Sequence, residues 1–206
     1  MNFKEFLQEN IVFLDGGMGT LLQQQGLKAG ELPELWNLSN PEIITAIHKA
    51  YYNAGSNVVC TNTFGASSLK FQQAELETII QSAVANAKKA REESNSNHEK
   101  FIALDIGPLG KLLKPLGDLD FENAVAIFAN TIKIGVECGV DLIVIETMND
   151  SYETKAALLA AKEVCDLPII VTNAYGEDGK LMTGATPESM AAMLQGMGVC
   201  AFGANC

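Results

Sequence analysis

Apolar runs rich in β-branched residues recur along the chain at 11–15 (IVFLD), 57–64 (NVVCTNTF), 101–107 (FIALDIG), 141–147 (DLIVIET), 168–175 (PIIVTNAY) and 201–206 (AFGANC). Hydrophobicity within these runs is continuous rather than alternating, the pattern of strands buried on both faces in a parallel sheet. The segments between them carry helical spacing and punctuation. Phe121, Ala124, Val125, Phe128 and Ile132 fall on one face of a 3.6-residue helix. Asn40 and Pro41 open a second predicted helix that Gly55 closes, and Thr186 and Pro187 open a third.

Strand and helix alternate from end to end, with only EESNSNHEK as a polar break, read as a solvated helix end. This predicts one continuous (β/α) repeat, a single domain over residues 1–206. Six predicted strands fit an open doubly wound sheet or most of an eight-stranded barrel, and the pattern alone does not choose. The strand ends carry more information: Asp15, Thr61 with Asn62, Asp105, Glu146, Asn173 and Cys206 would gather on one rim. In a barrel, catalytic groups lie on the carboxyl-terminal rim.

Composition narrows the partners. A formal charge of −11, from 14 basic and 25 acidic residues in 206, offers no basic patch for phosphates, which argues against nucleic acid and anionic membranes. No stretch approaches the ~18 apolar residues of a membrane span, and the opening residues lack a signal-sequence pattern, so a cytoplasmic location is expected. Cys60, Cys138, Cys165, Cys200 and Cys206 are odd in number and form no CxxC pair, which fits reduced thiols.

The segment LDGGMGTLL places an acid at a strand end, then glycines, then a helix start. Free N–H groups there favour an anion such as a carboxylate or phosphate, although a plain tight turn explains the same residues. It matches neither GxGxxG nor the P-loop. Glu146 ends an apolar strand and is expected to be partly desolvated unless a cation, such as a substrate ammonium, meets it. A loop-capping role fits Asp15 and Glu146 equally well, and two rim carboxylates could also form a glycosidase pair. The adjacent anion loop fits an amino acid, with charges of both signs, better. Cys206 reads as a metal thiolate, a nucleophile or a small buried hydrophobe. His48 reads as a packed or solvated residue, and His98 has no identifiable partner. No lysine stands at a strand end, which counts against a Schiff-base aldolase.

Six motifs in order, FLDGGMGTLL, NPEIITAIHKAYYNAGSNVVCTNTFGAS, DIGPLGKLLKPLG, DLIVIETMNDSYETKAALLAAKE, LMTGATPESM and FGANC, resemble the homocysteine S-methyltransferase family across the whole chain. Within it, GGMGT and TNTFGAS look most like the homocysteine-binding domain of cobalamin-dependent methionine synthases. The resemblance implies a (β/α)8 TIM barrel, of which these residues would form the first six βα units. It also implies zinc held at the rim by three cysteines. Cys206 matches the first ligand, and the GGCCG segment that carries the other two in the family is not found here. Asp15 and Glu146 match the acids that hold the substrate ammonium. Gly16, Gly17, Gly19 and Thr20 match the loop that receives its carboxylate. Thr61 and Asn62 match a segment near the substrate.

The implied chemistry is methyl transfer to the homocysteine thiolate, forming methionine. A free thiol is only roughly 3% ionised at pH 7, and metal coordination removes its proton. The implied donor is methylcobalamin on a separate module, with a folate-binding module as a further partner. Betaine or S-methylmethionine as direct donor, and a non-catalytic amino-acid-binding fragment, are the alternatives. With one of three zinc thiolates present, the polypeptide by itself is expected to bind zinc weakly and to be inactive. Open sheet edges are expected to invite self-association or pairing with another chain. A phosphate-dependent barrel enzyme is a distant further reading.

Overall fold

The computed structural model describes residues 2–206. Five parallel strands, β1 (Val58–Cys60), β2 (Phe101–Ile106), β3 (Leu142–Met148), β4 (Ile169–Asn173) and β5 (Ala201–Ala204), are hydrogen-bonded in chain order. This order settles the choice between architectures. A doubly wound sheet reverses its strand order at a switch point, whereas an order that never reverses is the arc of a barrel.

The helices are α1 (Phe3–Glu9), α2 (Met18–Gln24), α3 (Trp36–Ser39), α4 (Pro41–Ala54), α5 (Gln73–Glu93), α6 (Phe121–Glu137), α7 (Ser151–Val164) and α8 (Pro187–Gly196). None is long and apolar enough to cross a membrane among the described residues. The predicted start signals act as expected in part. Thr186 accepts from the Ser189 amide at the head of α8, and Gly55 ends α4 at a φ of 113°. Asn40 precedes α4 but makes no side-chain cap.

The predicted first strand, 11–15, is reduced to a bridge between Leu14 and Val58. Phe13 still accepts from the amides of Asn57 and Val58, and the Asp15 amide donates to Val58. The segment therefore runs beside β1 but too briefly to form a ladder. Ile11 and Phe13 are 80% and 59% exposed, so burial does not hold it extended.

Side chains on the strands separate into two apolar layers, as the two-residue period requires. Val59, Ile102, Leu104, Ile143, Ile145, Ile169 and Val171 face the helices. Val58, Phe101, Ala103, Leu142, Val144 and Ile170 face the other way, into the concave side of the arc. Phe3 and Phe6 of α1 close the amino-terminal end of that hollow against Phe101, with ring centroids 5.2 and 5.4 Å away. The hollow is thus plugged below and open toward the carboxyl ends of the strands.

Candidate functional site

Continuing the inward alternation upward along each strand places the polar residues. On β2, Phe101 and Ala103 lead to Asp105; on β3, Leu142 and Val144 lead to Glu146. On β1, Cys60 packs on the inner layer, and the Cys60 amide donates to Asp15 Oδ2 at 2.9 Å. Asp15, Asp105 and Glu146 therefore converge on the hollow from the 11–15 segment, β2 and β3, with β1 between the first two.

Among the described residues no ion pair involves them: those formed are Lys49–Glu93, Arg91–Asp141 and Lys114–Asp120, all elsewhere. The consequence is electrostatic. Burial raises the Asp15 carboxyl from 3.8 to about 7; the Cys60 hydrogen bond opposes the rise and the Glu146 charge adds to it. Burial also raises Glu146. Asp105, 6% exposed, is pushed well above the usual carboxylate range by burial and then by Glu146, Asp15 and Glu34. Its Oδ1 has no hydrogen-bond partner. Carboxyls that share a desolvated hollow without a counter-ion favour protons or an incoming cation.

The glycine loop lies beside them. A Cβ on Gly16 would stand 2.9 Å from the Tyr51 hydroxyl, so glycine there lets that hydroxyl approach the loop backbone closely. Tyr51 Oη donates to the Gly17 carbonyl at 3.3 Å, and Thr20 Oγ1 reaches the same carbonyl at 3.5 Å. Gly17 precedes α2, whose first amides, including that of Gly19, are free as at any helix start. Gly16, Gly17, Gly19 and Thr20 are exposed. Cation-seeking carboxyls and unpaired amides are thereby adjacent, which suits a zwitterion.

Thr61 and Asn62 are buried, and their side chains join parts of the protein. Thr61 Oγ1 lies 2.8 Å from Thr63 Oγ1 and accepts from the Asp105 amide, while Asn62 Nδ2 donates to the Pro33 carbonyl at 2.7 Å. They hold the rim together beneath the acids. Asn173 leaves the predicted rim group altogether. The two-residue period turns it to the helix side, where it is fully buried and donates to the Met148 carbonyl and Thr154 Oγ1.

Four residues of this region escaped the sequence reading of the site: Tyr51, Glu34, Thr147 and Asn205. Glu34 is 4% exposed and accepts from the Gly65 amide at 2.7 Å. Thr147 has a φ of 59°, a left-handed conformation that costs a β-branched residue on the order of 1–3 kcal/mol. It stands where the β3–β4 register slips between Ile145 and Met148. That extra residue sends Met148 to the helix side although Leu142, Val144 and Glu146, of the same parity, point inward. No sequence signal marks the bulge, since Thr is not a left-handed residue by habit.

Cys206 is exposed, with Asn205 Nδ2 at 3.8 Å from its sulfur. Cys60 is no second thiolate: burial, then the charges of Asp15, Asp105 and Glu146, hold its thiol well above the usual range. Among the described residues, no three His, Cys, Asp or Glu side chains form a metal-holding group.

A family model described as homocysteine S-methyltransferase matches residues 12–206. The homocysteine methyltransferase MmuM from Escherichia coli in its metallated form superposes with a TM-score of 0.83 at 24% identity, covering 97% of this chain and 76% of that one. Its oxidised form gives 0.84 at 24% identity over 98% and 75%, and its apo form 0.78 at 24% over 98% and 74%. At that identity the likeness to MmuM establishes a shared fold.

Proposed function

Because the chain belongs to the homocysteine S-methyltransferase family, we propose that its hollow binds the amino-acid end of homocysteine and presents the thiol for methylation to methionine. The observation that carries this reading is the convergence of Asp15, Asp105 and Glu146, without a counter-ion, beside the free amides of the glycine loop. In this reading Asp15 and Glu146 receive the substrate ammonium, which supplies the counter-charge to the converging carboxyls. Gly16, Gly17, Gly19 and Thr20 receive the carboxylate at the head of α2. Thr61 and Asn62 act from below by fixing the rim. In this reading residues 1–206 are one domain, the first βα units of the barrel.

Zinc is the metal the family resemblance implies, and its chemistry would be to keep the substrate sulfur ionised at neutral pH. The donor set in these residues does not fit it. Cys206 is one cysteine, Cys60 is a buried thiol beneath Asp15, and among the described residues no three His, Cys, Asp or Glu side chains form a metal-holding group. The 206 residues as an isolated polypeptide are expected to bind zinc weakly and to show no turnover. The methyl donor implied by the GGMGT and TNTFGAS segments is methylcobalamin carried by another module. Betaine or S-methylmethionine is the alternative donor.

The reading is tested by titrating the polypeptide with L-methionine and with 4-(methylthio)butanoate, which lacks the amine. Preference for the amine-bearing ligand, lost in Glu146→Gln, is expected. Equal binding of both ligands, or an unchanged preference in the variant, overturns the assignment of the acids.

A further inference from the structure

The β3 bulge, the carboxylate of Glu146 and the end of β5 meet at one side chain. Asn205 Oδ1 accepts from the Thr147 amide at 3.1 Å, and Asn205 Nδ2 donates to Thr147 Oγ1 at 2.8 Å and to Glu146 Oε2 at 3.3 Å. Its backbone amide is tied to the Asn173 carbonyl at 3.2 Å, so the side chain works from a fixed base. The Thr147 amide has a second, longer contact to Thr172 Oγ1 at 3.4 Å. Thr147 and the chain's last residue, Cys206, are the non-glycine residues with positive φ among those described, and Asn205 touches both.

The arrangement has the form of a clamp. A left-handed threonine persists only where its surroundings overdetermine it, and here one primary amide satisfies both its N–H and its hydroxyl. The same amide still has a proton directed at Glu146. An asparagine suits this place because it alone offers, on one short planar group, an acceptor for a backbone N–H and two donors. Leucine or serine in its place would leave the bulge or the carboxylate without a partner.

We propose that Asn205 is a positioning residue, which holds Thr147 in the bulge and thereby aims the Glu146 carboxylate into the hollow from β5. It makes the cation-binding acid depend on the end of β5, the segment that also presents Cys206. The inference rests on the proposed amino-acid site for its consequence, though not for the clamp itself.

Two ligand-free measurements on the full polypeptide test the clamp. Asn205→Ala is expected to raise the hydrogen-exchange rate of the Thr147 amide about tenfold or more, with the Val171 amide of β4 unchanged. In the otherwise unaltered protein, Glu146→Gln is expected to move the Asn205 side-chain amide resonances. An unchanged Thr147 exchange rate, or resonances indifferent to residue 146, overturns the proposal. A ligand experiment tests the consequence. Asn205→Ala should weaken L-methionine about tenfold and leave 4-(methylthio)butanoate within about twofold. Equal weakening of both means that Asn205 is merely structural and overturns the positioning role. If the unaltered protein binds neither ligand, the amino-acid site fails, and the two ligand-free readouts still decide whether Asn205 sets the Glu146 side chain.

Discussion

Replacing Asp15 by Asn should stabilise the protein, and only above mildly acidic pH. A carboxyl raised from 3.8 to about 7 binds a proton in the folded state that the unfolded chain has already released. Stability contributed by the protonated form is therefore full below about pH 4 and is lost as pH rises through 7. At ~1.36 kcal/mol per pH unit, the interval from 3.8 to about 7 sets a ceiling of about 4 kcal/mol. Asp15 keeps some solvent exposure, so about half of that, ~2 kcal/mol, is the expected gain. An amide oxygen can still accept from Cys60 at the 2.9 Å position, so the substitution removes the charge and keeps the bond. The assay is urea unfolding of both proteins between pH 4 and 9. Their difference should be near zero at about pH 4, grow from there to about pH 7, and level off above. In thermal melts at pH 8 this corresponds to a rise of about 4–8 °C for a chain of this size. A pH-independent offset, or a variant less stable than the parent at pH 8, would refute the reasoning. The same variant should lose its preference for amine-bearing ligands, as expected where a site group opposes stability.

His48 is fully buried on α4, with neither ring nitrogen hydrogen-bonded, and burial lowers it from 6.5 to about 4. Because the unfolded chain takes up the proton first, its effect is a loss of stability as pH falls from 6.5 toward 4, with a ceiling of about 3 kcal/mol. His48→Leu should flatten that part of the pH–stability curve, measured by urea unfolding, and an unchanged slope would remove His48 as its cause. A Cβ on Gly135 of α6 would stand 2.5 Å from the buried Leu104 side chain, so Gly135→Ala is expected to cost about 1–3 kcal/mol by overpacking, read as a lower urea midpoint. Asp141 accepts from both Arg91 and the Ile102 amide, at 2.9 and 2.7 Å. Asp141→Ala should therefore cost about 1.5–3 kcal/mol in the same assay and expose the Ile102 amide to faster exchange.

The sequence by itself determined the alternation of strand and helix, because continuous apolar runs and capped helical stretches are local patterns. It also placed Glu146 and Cys206 close to the carboxyl ends of β3 and β5, and the glycine loop after the first run. It overstated that run: 11–15 has the composition of a strand, but a strand needs a partner along its length, and only Leu14 finds one. The tertiary structure alone decided which rim residues share the hollow. Facing direction depends on strand register, and register depends on the neighbouring strand. Asp105 points inward with Phe101 and Ala103, whereas Asn173 turns to the helices to bond Met148 and Thr154. The Thr147 bulge, which separates Glu146 from Met148, arises from pairing with β4 and from the grip of Asn205, 58 residues away in sequence. A contact of that span leaves no periodic trace, so folding had to bring the two segments together before the aim of Glu146 was defined.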